Sequence, residues 1–110
     1  MPSFRERKRY VVFEIISKKE SSAENFSRAF EKAASKLFGE FGKAKINSKV
    51  LIDKWNQKAQ IGIMRVNRES VDYARAVFCA MDKIGRSAVI VRSLGVSGTL
   101  RKAERKYNNS

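Results

Sequence analysis

Residues 9–41, RYVVFEIISKKESSAENFSRAFEKAASKLFGEF, set a strand directly ahead of an amphipathic helix, and that pairing decides the class of fold. The first nine of them are rich in β-branched and aromatic residues and almost continuously apolar, which predicts a central strand. Glu14 interrupts the run on the face it shares by alternation with Val12 and Ile16, so something covers that face. Ser21 and Glu24 have capping-box spacing and predict a helix start there. Phe26, Ala29, Phe30, Ala33, Ala34, Leu37, Phe38 and Phe41 then recur three and four residues apart, the spacing of a core-facing helical stripe rather than of a base-stacking set. Gly39 and Gly42 are both stop signals, and spacing does not choose between them.

Working outward, residues 43–48 read as a basic linker. Residues 50–55 and 59–66 read as an antiparallel pair joined through Asn56, Gln57 and Lys58, with Asn56 suited to a left-handed turn position. Trp55 is expected to pack across the sheet edge, and Gly62 marks a close backbone approach. Arg65 shares a face with Ile61 and Ile63. A helix is expected to start within residues 67–70, with Val71, Ala74, Val77, Phe78, Met81 and Ile84 as its apolar stripe and Gly85 as its stop. SAVIVRSL (87–94) is the last strand. Gly95 and Gly98 allow a sharp turn, Ser97 stands as N-cap, and a final helix carries Leu100, Ala103 and Tyr107 on one side and Arg101, Lys102, Arg105 and Lys106 on another.

The order β-α-β-β-α-β predicts an α+β fold of the ferredoxin-like split type, a two-layer sandwich with an added C-terminal helix. One domain is expected: a basic arm over 1–8, the core over 9–95, and the basic helix and tail over 96–110. Two helices cover one sheet face. The other face holds Val12, Glu14, Ile61, Ile63, Ile90 and Arg92, which is too apolar for water; the extra helix or another protein covers it. RNA-recognition modules share this topology, but the strand around Ile61 has no aromatic residue for base stacking.

Charge points to the ligand. Twenty-four Lys and Arg against 11 Asp and Glu give a net charge of +13 over 110 residues. The excess is concentrated toward the two ends of the chain, and a phosphate-rich polymer answers it through counterion release. Composition also narrows the chemistry. A single Cys79, expected to be a small buried hydrophobe, cannot make an internal disulfide or a cysteine-rich zinc site, and the absence of histidine argues against a nucleophilic role for it. Asp53, Glu14 and Glu69 fall on different elements and form no acidic cluster, and no Walker-type loop occurs. The chain has neither a signal peptide nor an apolar span, so a cytoplasmic protein away from membranes is expected. The candidate anion contacts are Arg92, Arg101, Lys102, Arg105 and Lys106, the Ser97, Gly98 and Thr99 turn ahead of the last helix, and Arg5, Arg7, Lys8 and Arg9 of the arm.

The segments YVVFEIIS (10–17), GIMRVNRESVDYARAVFCAM (62–81) and VRSLGVSGTLRKAE (91–104) resemble archaeal ribonuclease P protein component 2, a Pop-type subunit of ribonucleases P and MRP; GVSGT ahead of a basic helix is the most specific of them. The resemblance implies a subunit of the endoribonuclease that removes the 5′ leader from precursor tRNA. It implies that the RNA carries the metal-dependent hydrolysis, with magnesium on the RNA and no cofactor or catalytic residue in this chain. The implied partners are ribonuclease P RNA and protein component 3, with self-association in a heterotetramer and only indirect contact with precursor tRNA. Val12, Ile61, Ile63 and Ile90 are then candidates for the partner interface. Outside ribonuclease P, the alternative is a ferredoxin-like RNA-binding or scaffold protein.

Overall fold

The computed structural model describes the backbone of residues 7–107 and the side chains of residues 7–105. In chain order the elements are β1 (Lys8–Ile16), α1 (Ala23–Ile46), β2 (Lys49–Val50), β3 (Ile61–Asn67), α2 (Val71–Ala80), a small hairpin of β4 (Lys83–Ile84) and β5 (Ser87–Ala88), β6 (Ile90–Ser97) and α3 (Leu100–Tyr107). The main sheet has the order β2-β3-β1-β6 and is antiparallel throughout. Because β3 is inserted between β1 and β2, the arrangement is the split ferredoxin-like α+β fold expected from the sequence. Among the described residues no helix is long and apolar enough to cross a membrane.

Alternation along β1 separates two apolar clusters. Val11, Phe13 and Ile15 face the two long helices and join Phe26, Phe30, Ala34, Val77 and Phe78 in the main core. Phe13 and Phe26 stack with ring centroids 4.4 Å apart, and each wholly buried phenylalanine contributes about 1.5–3 kcal/mol of transfer free energy. Gly62 is needed here. A Cβ at that position would stand 2.7 Å from Phe13 Cζ and from the Trp55 ring, so the aromatic cluster reaches the β3 backbone only because no side chain intervenes. Trp55 packs into this cluster, as expected, and its Nε1 donates to Gln57 Oε1 at 2.9 Å.

Local details depart from the sequence reading. The cap of α1 is Ser22, whose hydroxyl accepts from the Asn25 amide at 3.1 Å. Ser21 is unavailable for that role because its own peptide groups are held by the buried Gln60 side chain, at 2.8 and 3.1 Å. Gly39, at φ 76° and ψ 175°, breaks α1; helix then resumes through the predicted linker to Ile46, with Asn47 as a left-handed cap. Beyond the break Phe41 is 88% exposed, and Leu37, two residues ahead of it, is already half exposed rather than in the core. The predicted strand at 50–55 shrinks to Lys49–Val50 followed by a 3-10 turn at Ile52–Lys54. Gln60 is the left-handed residue of that connection, since Asn56 forms a bridge to Ile61.

Helix α2 stops at Ala80, so Met81 and Ile84 are buried from beyond its end and Gly85 turns the β4–β5 hairpin instead of closing the helix. Cys79 is exposed, not buried: it lies about 100° around the helix from the inward Phe78.

Candidate nucleic-acid interface

The second cluster seats α3 on the other sheet face. Pairing of β1 with β6 shifts register at Val12, which faces Gly95, while Phe13 faces Ser93. Leu94 is therefore the extra residue of a β-bulge. It joins Val12, Ile63, Leu100 and the wholly buried Ala103 under the helix. The extra helix thus covers the middle of the face that the sequence left open. Val12 and Ile63, candidates for a partner interface, are buried beneath it within this chain; Ile61 is half buried. Ile90 remains 63% exposed beside its cross-strand neighbour Ile16.

The N-cap of α3 is Thr99 rather than Ser97. Thr99 Oγ1 accepts from the Lys102 amide at 3.2 Å, whereas Ser97 is still in β6, opposite Tyr10. Pairing with Tyr10 keeps Ser97 in the strand, and the cap falls two residues later. From this start α3 directs Arg101, Lys102 and Arg105 to solvent, while Glu104 turns back to Lys54 Nζ at 3.2 Å.

Antiparallel pairing of β1 with β6 brings the basic arm to the turn before α3. Arg7 is exposed, Lys8 Nζ donates to Asn67 Oδ1 at 2.6 Å, and Arg9 donates to the Lys8 carbonyl at 3.0 Å. Gly98 and Thr99 are exposed at the same end and Ser97 is half buried. Arg92 is separated from this group. It lies farther along β6, 61% exposed, and its guanidinium donates to Glu14 Oε1 at 2.8 Å, which explains the acid in the apolar strand. Arg5 and the side chain of Lys106 lie outside the described residues.

The strands and α3 carry two acids, Glu14 and Glu104, and both are held by cations. The surface they belong to is therefore positive with little internal compensation, suited to holding a polyanion. Lys49 and Arg65, which the sequence reading assigned no binding role, stand on this same face on either side of the β2–β3 pairing. Alternation along the strand was the only signal for Arg65, and Lys49 fell between the expected linker (43–48) and the expected strand (50–55). Among the described residues no three His, Cys, Asp or Glu come together in a group that could hold a metal ion.

A sequence profile of the Rpp14/Pop5 family matches residues 9–108. Ribonuclease P protein component 2 of Archaeoglobus fulgidus is 37% identical over 106 residues, covering 96% of this chain and 93% of that protein. The protein of the same name from Thermococcus kodakarensis is 33% identical over 106 residues, covering 96% and 87%. In solved structures, a chain of the cryo-EM structure of yeast ribonuclease MRP matches with a TM-score of 0.67 at 20% identity, over 92% of this chain and 80% of that one; this likeness concerns the fold.

Proposed function

We propose that this chain, which belongs to the Rpp14/Pop5 family, is a protein subunit of ribonuclease P that binds and stabilises the RNA removing the 5′ leader from precursor tRNA. The observation that carries the RNA-binding role is the charge arrangement around α3: cations turned outward, with the acids of the strands and of α3 already paired. Arg101, Lys102, Arg105 and Lys106 supply the main phosphate contacts, and Arg5, Arg7, Lys8 and Arg9 a second set, of which Arg7, Lys8 and Arg9 stand at the same end of the sheet. Ser97, Gly98 and Thr99 present the start of α3 to the backbone of the RNA, and Arg92 contributes from farther along the strand.

Hydrolysis belongs to the RNA and its magnesium; this chain contributes no catalytic residue and no cofactor. Protein component 3 is the expected partner, with self-association in a heterotetramer, contact with precursor tRNA through the RNA, and a cytoplasmic place of work. The exposed Ile90 and Ile16 pair supports a protein contact at the sheet end that α3 leaves open.

Binding of ribonuclease P RNA across a potassium chloride series tests the RNA-binding role. Replacing Arg101, Lys102, Arg105 and Lys106 by alanine is expected to weaken binding and flatten log affinity against log salt by up to about 3. A wild-type affinity no greater than that of an unrelated basic protein refutes the role.

A further inference from the structure

Lys49 pairs directly with Arg65 across β2–β3, and Arg65 pairs with Tyr10 across β3–β1. Lys8 precedes Tyr10 by two residues, so alternation sets Lys8, Arg65 and Lys49 together on the face that carries α3. Residues directly opposite in an antiparallel pair have Cβ atoms about 4.5–5.5 Å apart, and like charges in that position oppose each other. No ion pair among the described residues relieves this. Among the described residues none of the three makes an ion pair, and Lys8 has only the neutral amide oxygen of Asn67. The acid that this face of the sheet does carry, Glu14, lies two rungs past Arg65 on the other side of the Val12–Ile63 pair and is held by Arg92.

We infer that Lys49 and Arg65, with Lys8 diagonal to them, form an additional contact for the phosphate backbone of RNA, beside α3 and distinct from its outward cations. Opposing two cations does not stabilise the fold, and with no described acid paired to them a phosphate backbone answers their charge. Three cations spread over three adjoining positions of two strand pairings match a run of phosphates better than a single small anion. Tyr10 and Leu100 belong to the same apolar cluster, so the contact adjoins the start of α3, and one RNA segment can pass from the helix to the sheet edge. This inference rests on the RNA-binding role proposed above.

The test compares the double variant Lys49→Gln with Arg65→Gln, the α3 variant Arg101→Ala with Lys102→Ala and Arg105→Ala, and the charge-retaining variant Lys49→Arg with Arg65→Lys. Binding of ribonuclease P RNA is measured over a salt series and the thermal midpoint of each protein is recorded. The glutamine variant is expected to bind several-fold more weakly, with a salt slope shallower by about 1.5 to 2, and to melt no lower than wild type because a like-charge contact is gone. The charge-retaining variant is expected to bind as wild type does. Unchanged RNA binding in the glutamine variant, while the α3 variant loses affinity, overturns the contact and leaves the RNA-binding role intact. Loss of binding to a protein subunit with RNA binding unchanged overturns it in favour of an acidic protein. If wild type itself shows no preference for the RNA, contact and role fall together.

Discussion

Lys54 Nζ stands 3.2 Å from Glu104 Oε1, linking the 3-10 turn after β2 to α3 on the far side of the sheet. Both side chains are about one-third exposed, so solvent screens the pair and a double-mutant cycle with Lys54→Met and Glu104→Gln is expected to give a coupling of about 0.2–1 kcal/mol. The apolar seat matters more.

Ala103→Asp drives a carboxylate into the contact with Val12 and Ile63, where Ala103 is wholly buried. A loss of at least about 2 kcal/mol in denaturant unfolding is expected, with RNA affinity falling alongside as α3 leaves the sheet. Full stability in this variant would show that α3 is not docked as described.

Gly62→Ala puts a methyl group 2.7 Å from both Phe13 and Trp55, two rings of one packed cluster that cannot both retreat. The expected cost is about 1–3 kcal/mol, read as a lower unfolding midpoint in denaturant.

Two phenylalanines of the same predicted stripe separate in the same assay. Phe26→Ala removes a wholly buried ring stacked on Phe13 and is expected to cost about 3–5 kcal/mol. Phe41→Ala, beyond the Gly39 break and 88% exposed, is expected to stay within about 0.5 kcal/mol of wild type.

That contrast shows where the sequence was legible. The periodic positions from Phe26 to Ala34 and the alternating positions of β1 reported local geometry faithfully, and they were enough for the element order and the sheet; Leu37, in the same stripe, is half exposed. What they could not report was set by partners distant in the chain. Ser21 loses the cap of α1 to Gln60, 39 residues away. Leu94 becomes a bulge only against β1, and Ser97 is held in β6 by its pairing with Tyr10, so Thr99 caps α3. The cations of α3 were readable from helical spacing, whereas Lys49 and Arg65 became neighbours only through strand register.

The Glu40 carboxyl lies below its usual range because the Ser35 hydroxyl donates to it and Lys43 lies beside it. A depressed carboxyl stabilises the fold above the ordinary value of about 4.3, and that contribution is lost as pH falls through the lowered one. Titration of the Glu40 side chain by NMR is expected to show the low midpoint, and Ser35→Ala to move it upward; a midpoint unmoved by that substitution assigns the shift to Lys43.

The central claim, a subunit that stabilises the active RNA, is tested most directly by precursor-tRNA cleavage by ribonuclease P RNA at low magnesium, with and without this chain and protein component 3. The expected result is cleavage that depends on this chain, declines when Arg101, Lys102 and Arg105 are replaced by alanine, and is absent when the chain is assayed without RNA. A cleavage rate indifferent to the chain, or cleavage by the chain alone, would contradict it.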